Sequence, residues 1–188
     1  MPSARLIIEP ASAFRYVKEV KFRPEDYGPE IGRILDLAGG GQRPMPLVRC
    51  ASVSRQACDE IEELRDGAIR AGLYLHCGCW DLAHETADSV HNPDGHFWHA
   101  IVHRQEPDAD NSAYWFRMTG SHPLFPRLAE EAEAAGYQKS APWDPFAFIQ
   151  FCEWARQQPA SAEARLAAEV QLLEWQLLFD HCARGKNG

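Results

Sequence analysis

Apolar positions recur at helical spacing along most of the chain. Cys58, Ile61, Leu64 and Ala68 fall on one face of a segment beginning near Ser52, with Asp59, Glu60, Glu62, Glu63 and Asp66 on the rest. This pattern predicts a helix with a solvated acidic side that Gly72 interrupts. A second helical segment, over 73–89, leads into the turn-forming run Asn92-Pro93-Asp94-Gly95. Asp94 is placed to cap a third helix by accepting from its first free amides, and Pro107 ends that helix. The stretch from Glu106 to Pro123 carries many turn residues around an aromatic cluster and reads as a long ordered loop.

Beyond that loop the helical pattern returns. Ser121 and Pro123 open a helix through Ala135 that turns Leu124, Leu128, Ala132 and Ala135 inward and stops at Gly136. Asp144 and Pro145 start another, whose Phe146, Phe148, Ile149, Phe151, Cys152 and Trp154 are apolar nearly all round, which predicts a core helix. Ser161 precedes the longest, Ala162 to Ala183, striped by Leu166, Val170, Leu173 and Leu177. The first 50 residues are less regular: Arg5 to Glu9 reads as a short strand, Glu30 to Ala38 as a short helix, and Gly39 to Pro46 as a connection. The fold class expected is mainly α, a single-domain helical bundle over 1–188 with an irregular N-terminal part.

A chain of 188 residues suits one well-buried core. Its net charge of −8 and scattered arginines disfavour nucleic acid as a partner, because non-specific binding needs clustered cations. No apolar run approaches the roughly 18–20 residues of a bilayer span, and the hydrophobic stretch near the start is short for a secretory signal. The expectation is a soluble, cytoplasmic protein without membrane contact, and nothing in the sequence fixes an oligomeric state. The six cysteines include no C-x-x-C pair, so reduced thiols are expected. The triple glycine at 39–41 lacks the Lys-Ser/Thr of a phosphate loop and reads as a hinge.

The chemistry concentrates around the third helix. His96, His99 and His103 are spaced three and four apart, within an arc of roughly 60°. The preceding segment has a polar line of its own, in which Cys77, Asp81, His84, Asp88 and His91 span about 80°. Two such helices joined by a short turn can bring these faces together, and bundle interiors commonly assemble metal sites this way. The candidate ligands are His84, His99 and His103 with Asp81 or Asp88 as carboxylate, for a divalent transition metal such as zinc, iron, nickel or manganese. Ala100 stands where an H-E-x-x-H protease motif has its glutamate, which disfavours that class. His96 sits in the first helical turn and His91 beyond the end of its helix, so both have weaker claims. Cys77 and Cys79 ligate one metal only from a non-helical backbone.

Arg104, Tyr114, Trp115 and Arg117 form a second candidate element, a pocket whose arginines grip a carboxylate or phosphate of a small-molecule ligand. The competing reading pairs Arg104 with Asp108 and makes the rings satellite core. The histidines have a structural alternative too, as hydrogen-bond partners His84–Asp88 and His99–Asp81.

Residues 97–123, FWHAIVHRQEPDADNSAYWFRMTGSHP, resemble a segment of an uncharacterised bacterial family. Its members share a Trp-His-Ala-Ile-x-His-Arg-Arg-Glu-Pro-Asp core, an Asn-Ala-x-Tyr-Trp-Phe-Arg loop and a terminal Gly-x-His-Pro. Gln105 and Met118 stand here where that family carries arginine. The resemblance covers about a quarter of the chain and implies a related fold without an activity. The function expected from the residues is therefore a metal-binding helical protein, a metal-dependent hydrolase or other small-molecule enzyme. The alternative is a non-enzymatic ligand-binding or protein-interaction module recognising its partner through Tyr114, Trp115 and Phe116.

Overall fold

The computed structural model describes residues 22–137 and 142–185, and the short strand expected at Arg5 to Glu9 lies outside them. A 3-10 turn, Pro24–Tyr27, precedes α1, Pro29–Leu37. Then follow α2, Arg55–Glu62; α3, Gly67–Cys77; α4, Trp80–Ser89; and α5, Pro93–Gln105. The second half comprises α6, Ala109–Thr119; α7, Phe125–Ala135; α8, Pro145–Arg156; and α9, Ala162–Arg184. The fold is mainly α, with no strand among the described residues. No described helix is long and apolar enough to cross a membrane.

Several boundaries differ from the sequence reading: the segment expected over 73–89 is divided by Gly78, which ends α3 with φ 75°, and α7 begins at Phe125 rather than at Ser121 or Pro123. The first helix breaks near Leu64, because the Asp66 side chain accepts from the amides of Ala68 and Ile69 and starts α3 afresh. Gly72 does not interrupt anything. It lies inside α3 at a helix crossing so close that a Cβ there would stand 2.8 Å from the Trp98 ring and 3.1 Å from Phe179. The expected loop from Glu106 to Pro123 contains α6, because Asp108 is spent as an N-cap, its Oδ1 accepting from the amide of Asn111. Turn-forming residues also begin helices, and here they do. Asp144 and Ser161 cap α8 and α9 as the sequence indicates. α8 is less buried than its composition suggests, since Phe146 and Trp154 remain exposed.

α9, about 35 Å long at 1.5 Å per residue, packs against α3, α7 and α8, while α4, α5 and α6 stack in sequence beside α3. The core it organises is mostly apolar, with a few polar side chains buried in it. The Trp175 indole donates to the Gly72 carbonyl at 2.7 Å, and His76 stacks on Trp175 with centroids 4.3 Å apart.

Burial, aided by the Arg43 charge, lowers the His76 pKa to about 3. The unfolded chain takes up this proton near pH 6.5, and the folded one only near its own lower value. Stability is thus complete above about pH 6.5 and falls as the pH drops toward 3, by up to about 1.4 kcal/mol per unit. His76→Phe, which keeps a ring against Trp175, should flatten the pH dependence of urea unfolding between about pH 3.5 and 6 by roughly one proton. An unchanged slope would remove His76 from the acid response.

Candidate metal centre

The α4–α5 corner sets the geometry. Pro93 occupies the first position of α5, where its missing amide costs nothing, and the Asn92 side chain accepts from the Gly95 amide at 2.9 Å. Asn92 therefore takes the capping role expected of Asp94. Gly95 lets α5 lie against the end of α4, because a Cβ there would stand 2.0 Å from the Val90 carbonyl oxygen. With the corner this tight, the histidine face of α5 meets His84 of α4.

His84 lies edge-on to His99 and His103, with ring centroids 4.7 and 5.0 Å away, while His99 and His103 stack one turn apart at 4.8 Å. One ligand nitrogen from each of the three lies within 4.8 Å of the other two. His99 is 2% and His103 6% exposed. Burial, followed by the neighbouring imidazoles, pushes the His99 pKa down to about 3. Burial and His84 also lower that of His103, against the pull of Glu106 and Asp108. Both rings are consequently neutral near pH 7, the form that offers a lone pair to a metal.

The tautomers differ in how they are fixed. His103 Nδ1 lies 3.2 Å from a Glu106 carboxylate oxygen. An ionised carboxylate only accepts, so the proton sits on Nδ1 and Nε2 is left with its lone pair. His99 has no hydrogen-bond partner on either ring nitrogen although both are buried. A polar group left so costs about 1–3 kcal/mol, and its nearest carboxylate oxygen, on Asp88, is 3.8 Å from Nδ1, beyond hydrogen-bond reach. Indole rings close the walls: Trp115 stacks on His99 at 3.9 Å, and Trp80 on His84 at 5.2 Å.

Of the residues singled out in the sequence, His84, His99 and His103 are brought together and Asp88 stands beside them. Asp81 points elsewhere, with both carboxylate oxygens on the Arg49 guanidinium at 2.7 and 2.8 Å. His96 touches the Met118 carbonyl at 3.3 Å outside the group. Cys77 is buried with its thiol pushed up to about 12, and Cys79 is bonded to Cys58, so the expectation of uniformly reduced thiols is overturned and this C-x-C pair ligates no common metal.

The anion pocket does not assemble. Arg104 is fully buried and turned away from the histidines, its guanidinium paired with Glu174 and donating to Gln171 at 3.1 Å. Arg117 and Tyr114 are exposed on α6, Phe116 is buried, and Trp115 belongs to the histidine cluster. Helical geometry thus separates residues that a loop would have presented together.

A second group escaped the sequence reading because its members are far apart along the chain. Asp94 Oδ1 lies 2.9 Å from His122 Nε2 and 3.4 Å from His181 Nε2. His122 Nδ1 accepts from the Leu124 amide at 3.3 Å, which puts the ring proton on Nε2 and directs it to Asp94. That hydrogen bond, with the His181 charge, holds the Asp94 carboxyl below the usual range. With both ring nitrogens of His122 satisfied, this triad is a clasp between α5, the approach to α7 and α9. In comparisons with known proteins, no family model, no curated protein and no solved structure matches this chain.

Proposed function

We propose that the protein binds a divalent transition metal through His84, His99 and His103, with Asp88 supplying a carboxylate from the open side. The observation that carries this reading is His99, a neutral imidazole in the core with two unpartnered nitrogens facing two further imidazoles. Coordination would satisfy a group that protein contacts leave unsatisfied. Glu106, holding the Nδ1 proton of His103, fits the outer carboxylate that commonly orients a ligating histidine. Imidazole and carboxylate donors suit zinc, iron, nickel or manganese, and three or four protein ligands leave room for water or a substrate atom.

A metal in such a site supplies Lewis-acid activation of bound water, consistent with a hydrolase or other small-molecule enzyme. The chain's own contribution is to hold three imidazoles at fixed separation, with the Trp80 and Trp115 rings stacked against His84 and His99.

Elemental analysis of untagged protein purified under metal-replete conditions tests the reading. About one metal per chain is expected in the wild type, and close to none in His99→Ala and His103→Ala variants that retain the wild-type helical circular dichroism. Wild-type protein with negligible metal would sink the proposal.

A further inference from the structure

The α3–α4 corner carries chemistry independent of the histidines. Cys79, the N-cap residue of α4, is joined by a disulfide to Cys58 of α2. Residues 49–53 cross over this corner, the Arg49 amide donating to Gln105 and the Val53 amide to Cys77. Gly78 ends α3 with φ 75°, and the crossing segment lies so close that a Cβ there would stand 2.8 Å from the Ala51 carbonyl oxygen. Between the segment and the start of α4 opens a pocket of about 620 Å³, whose walls include Cys50, Ser52, Cys79 and Trp80. Cys79 lines this pocket and Cys58 does not, although as a residue Cys79 is buried, 9% exposed, and Cys58 only partly so. Ser52 Oγ lies 3.2 Å from the Cys58 sulfur and 3.8 Å from that of Cys79.

We propose that Cys58–Cys79 is an exchangeable disulfide, with Cys79 as the sulfur that reacts with low-molecular-weight thiols entering the pocket. In the reducing direction a thiolate attacks Cys79 Sγ and forms a mixed disulfide there. The bond to Cys58 breaks, and Cys58 leaves as a thiolate that accepts a hydrogen bond from Ser52. A second thiolate attacks the small-molecule sulfur of the mixed disulfide and releases Cys79 as a thiolate. The balance is two small thiols oxidised to their disulfide and one protein disulfide reduced to two thiols, which take up the two protons the small thiols lose. Exchange rates depend on access to the attacked sulfur and on the stability of the leaving thiolate, and the pocket and Ser52 provide one each. In the oxidising direction Cys79 is the nucleophile, at a helix N-terminus whose free amides favour a thiolate. Cys58 then displaces the small thiol.

Glutathione is the probe. A Cys50→Ser background removes the exposed thiol on the same wall, and non-reducing peptide mapping of this protein should recover Cys58 linked to Cys79. Adding Cys58→Ser and oxidised glutathione should trap glutathione on Cys79, leaving Cys77, Cys152 and Cys182, which do not line the pocket, unmodified. Ser52→Ala should slow reduction of the bridge by reduced glutathione about tenfold, the loss of one hydrogen bond to a charged group.

Three results would overturn the proposal. One is free Cys58 and Cys79 thiols that stay unlinked after a thiol oxidant. Another is a linkage that glutathione opens only after unfolding. The third is faster trapping on Cys58 in a Cys79→Ser protein than on Cys79 in the Cys58→Ser protein.

Discussion

Arg104→Ala is expected to lower the unfolding free energy by about 3–5 kcal/mol, the usual cost of breaking a buried ion pair from one side. Arg104 and Glu174 are both inaccessible, and the guanidinium also donates to Gln171 and lies 4.7 Å over the Phe148 ring. Alanine removes the cation and leaves the Glu174 carboxylate in an apolar core, where a lone charge is far costlier than a neutral acid. The orphaned carboxyl then protonates in the folded state at a higher pH than in the unfolded chain. The defect should consequently grow as the pH rises above about 5. Urea unfolding at two pH values measures both effects. The double variant Arg104→Met, Glu174→Leu should recover much of the loss, since removing both charges leaves nothing uncompensated. A single-variant cost below about 1 kcal/mol would show that the buried pair does not anchor α5 to α9.

Gly95→Ala should be the most damaging single-methyl insertion at the candidate metal centre. The added Cβ would meet the Val90 carbonyl oxygen at 2.0 Å and the Val90 Cβ at 2.6 Å. Backbone cannot rotate out of the way as a side chain can, so the α4–α5 corner has to open. The stability cost is expected at or above the upper end of the roughly 1–3 kcal/mol typical of overpacking. Opening the corner also draws His84 away from His99 and His103, so metal stoichiometry should fall although every proposed ligand is present. Thermal unfolding followed by metal analysis of the fraction that folds separates the two effects. Wild-type stability and metal content in this variant would mean that the corner does not set the spacing of the imidazoles.

The histidine group was legible in the sequence because its determinants are local. Spacings of three and four fix a face, and a short turn between two helices fixes which faces meet. Caps at Asp144 and Ser161 were legible for the same reason. What was not legible depends on contacts across the chain. Arg104 follows His103 directly, yet a rotation of about 100° per residue takes it into the core, where its partner Glu174 lies 70 residues away. Cys58 and Cys79, 21 residues apart, bear no spacing signal. The Asp94, His122 and His181 clasp joins three distant segments. α6 was misread for a different reason: Asp108, Asp110, Asn111 and Ser112 look like a turn, and only the helix that follows shows that the first of them is a cap.

The ring stacks around the histidines have an optical consequence. Trp115, parallel to His99 within 19°, and Trp80, within 23° of His84, are two of the chain's six tryptophans. Indole emission is sensitive to charge placed against its face, because a cation there interacts directly with the π system. These two rings therefore form an intrinsic fluorescent gauge of the electrostatic state of the histidine cluster, and single Trp80→Phe and Trp115→Phe variants assign the signal to one side of the cluster or the other.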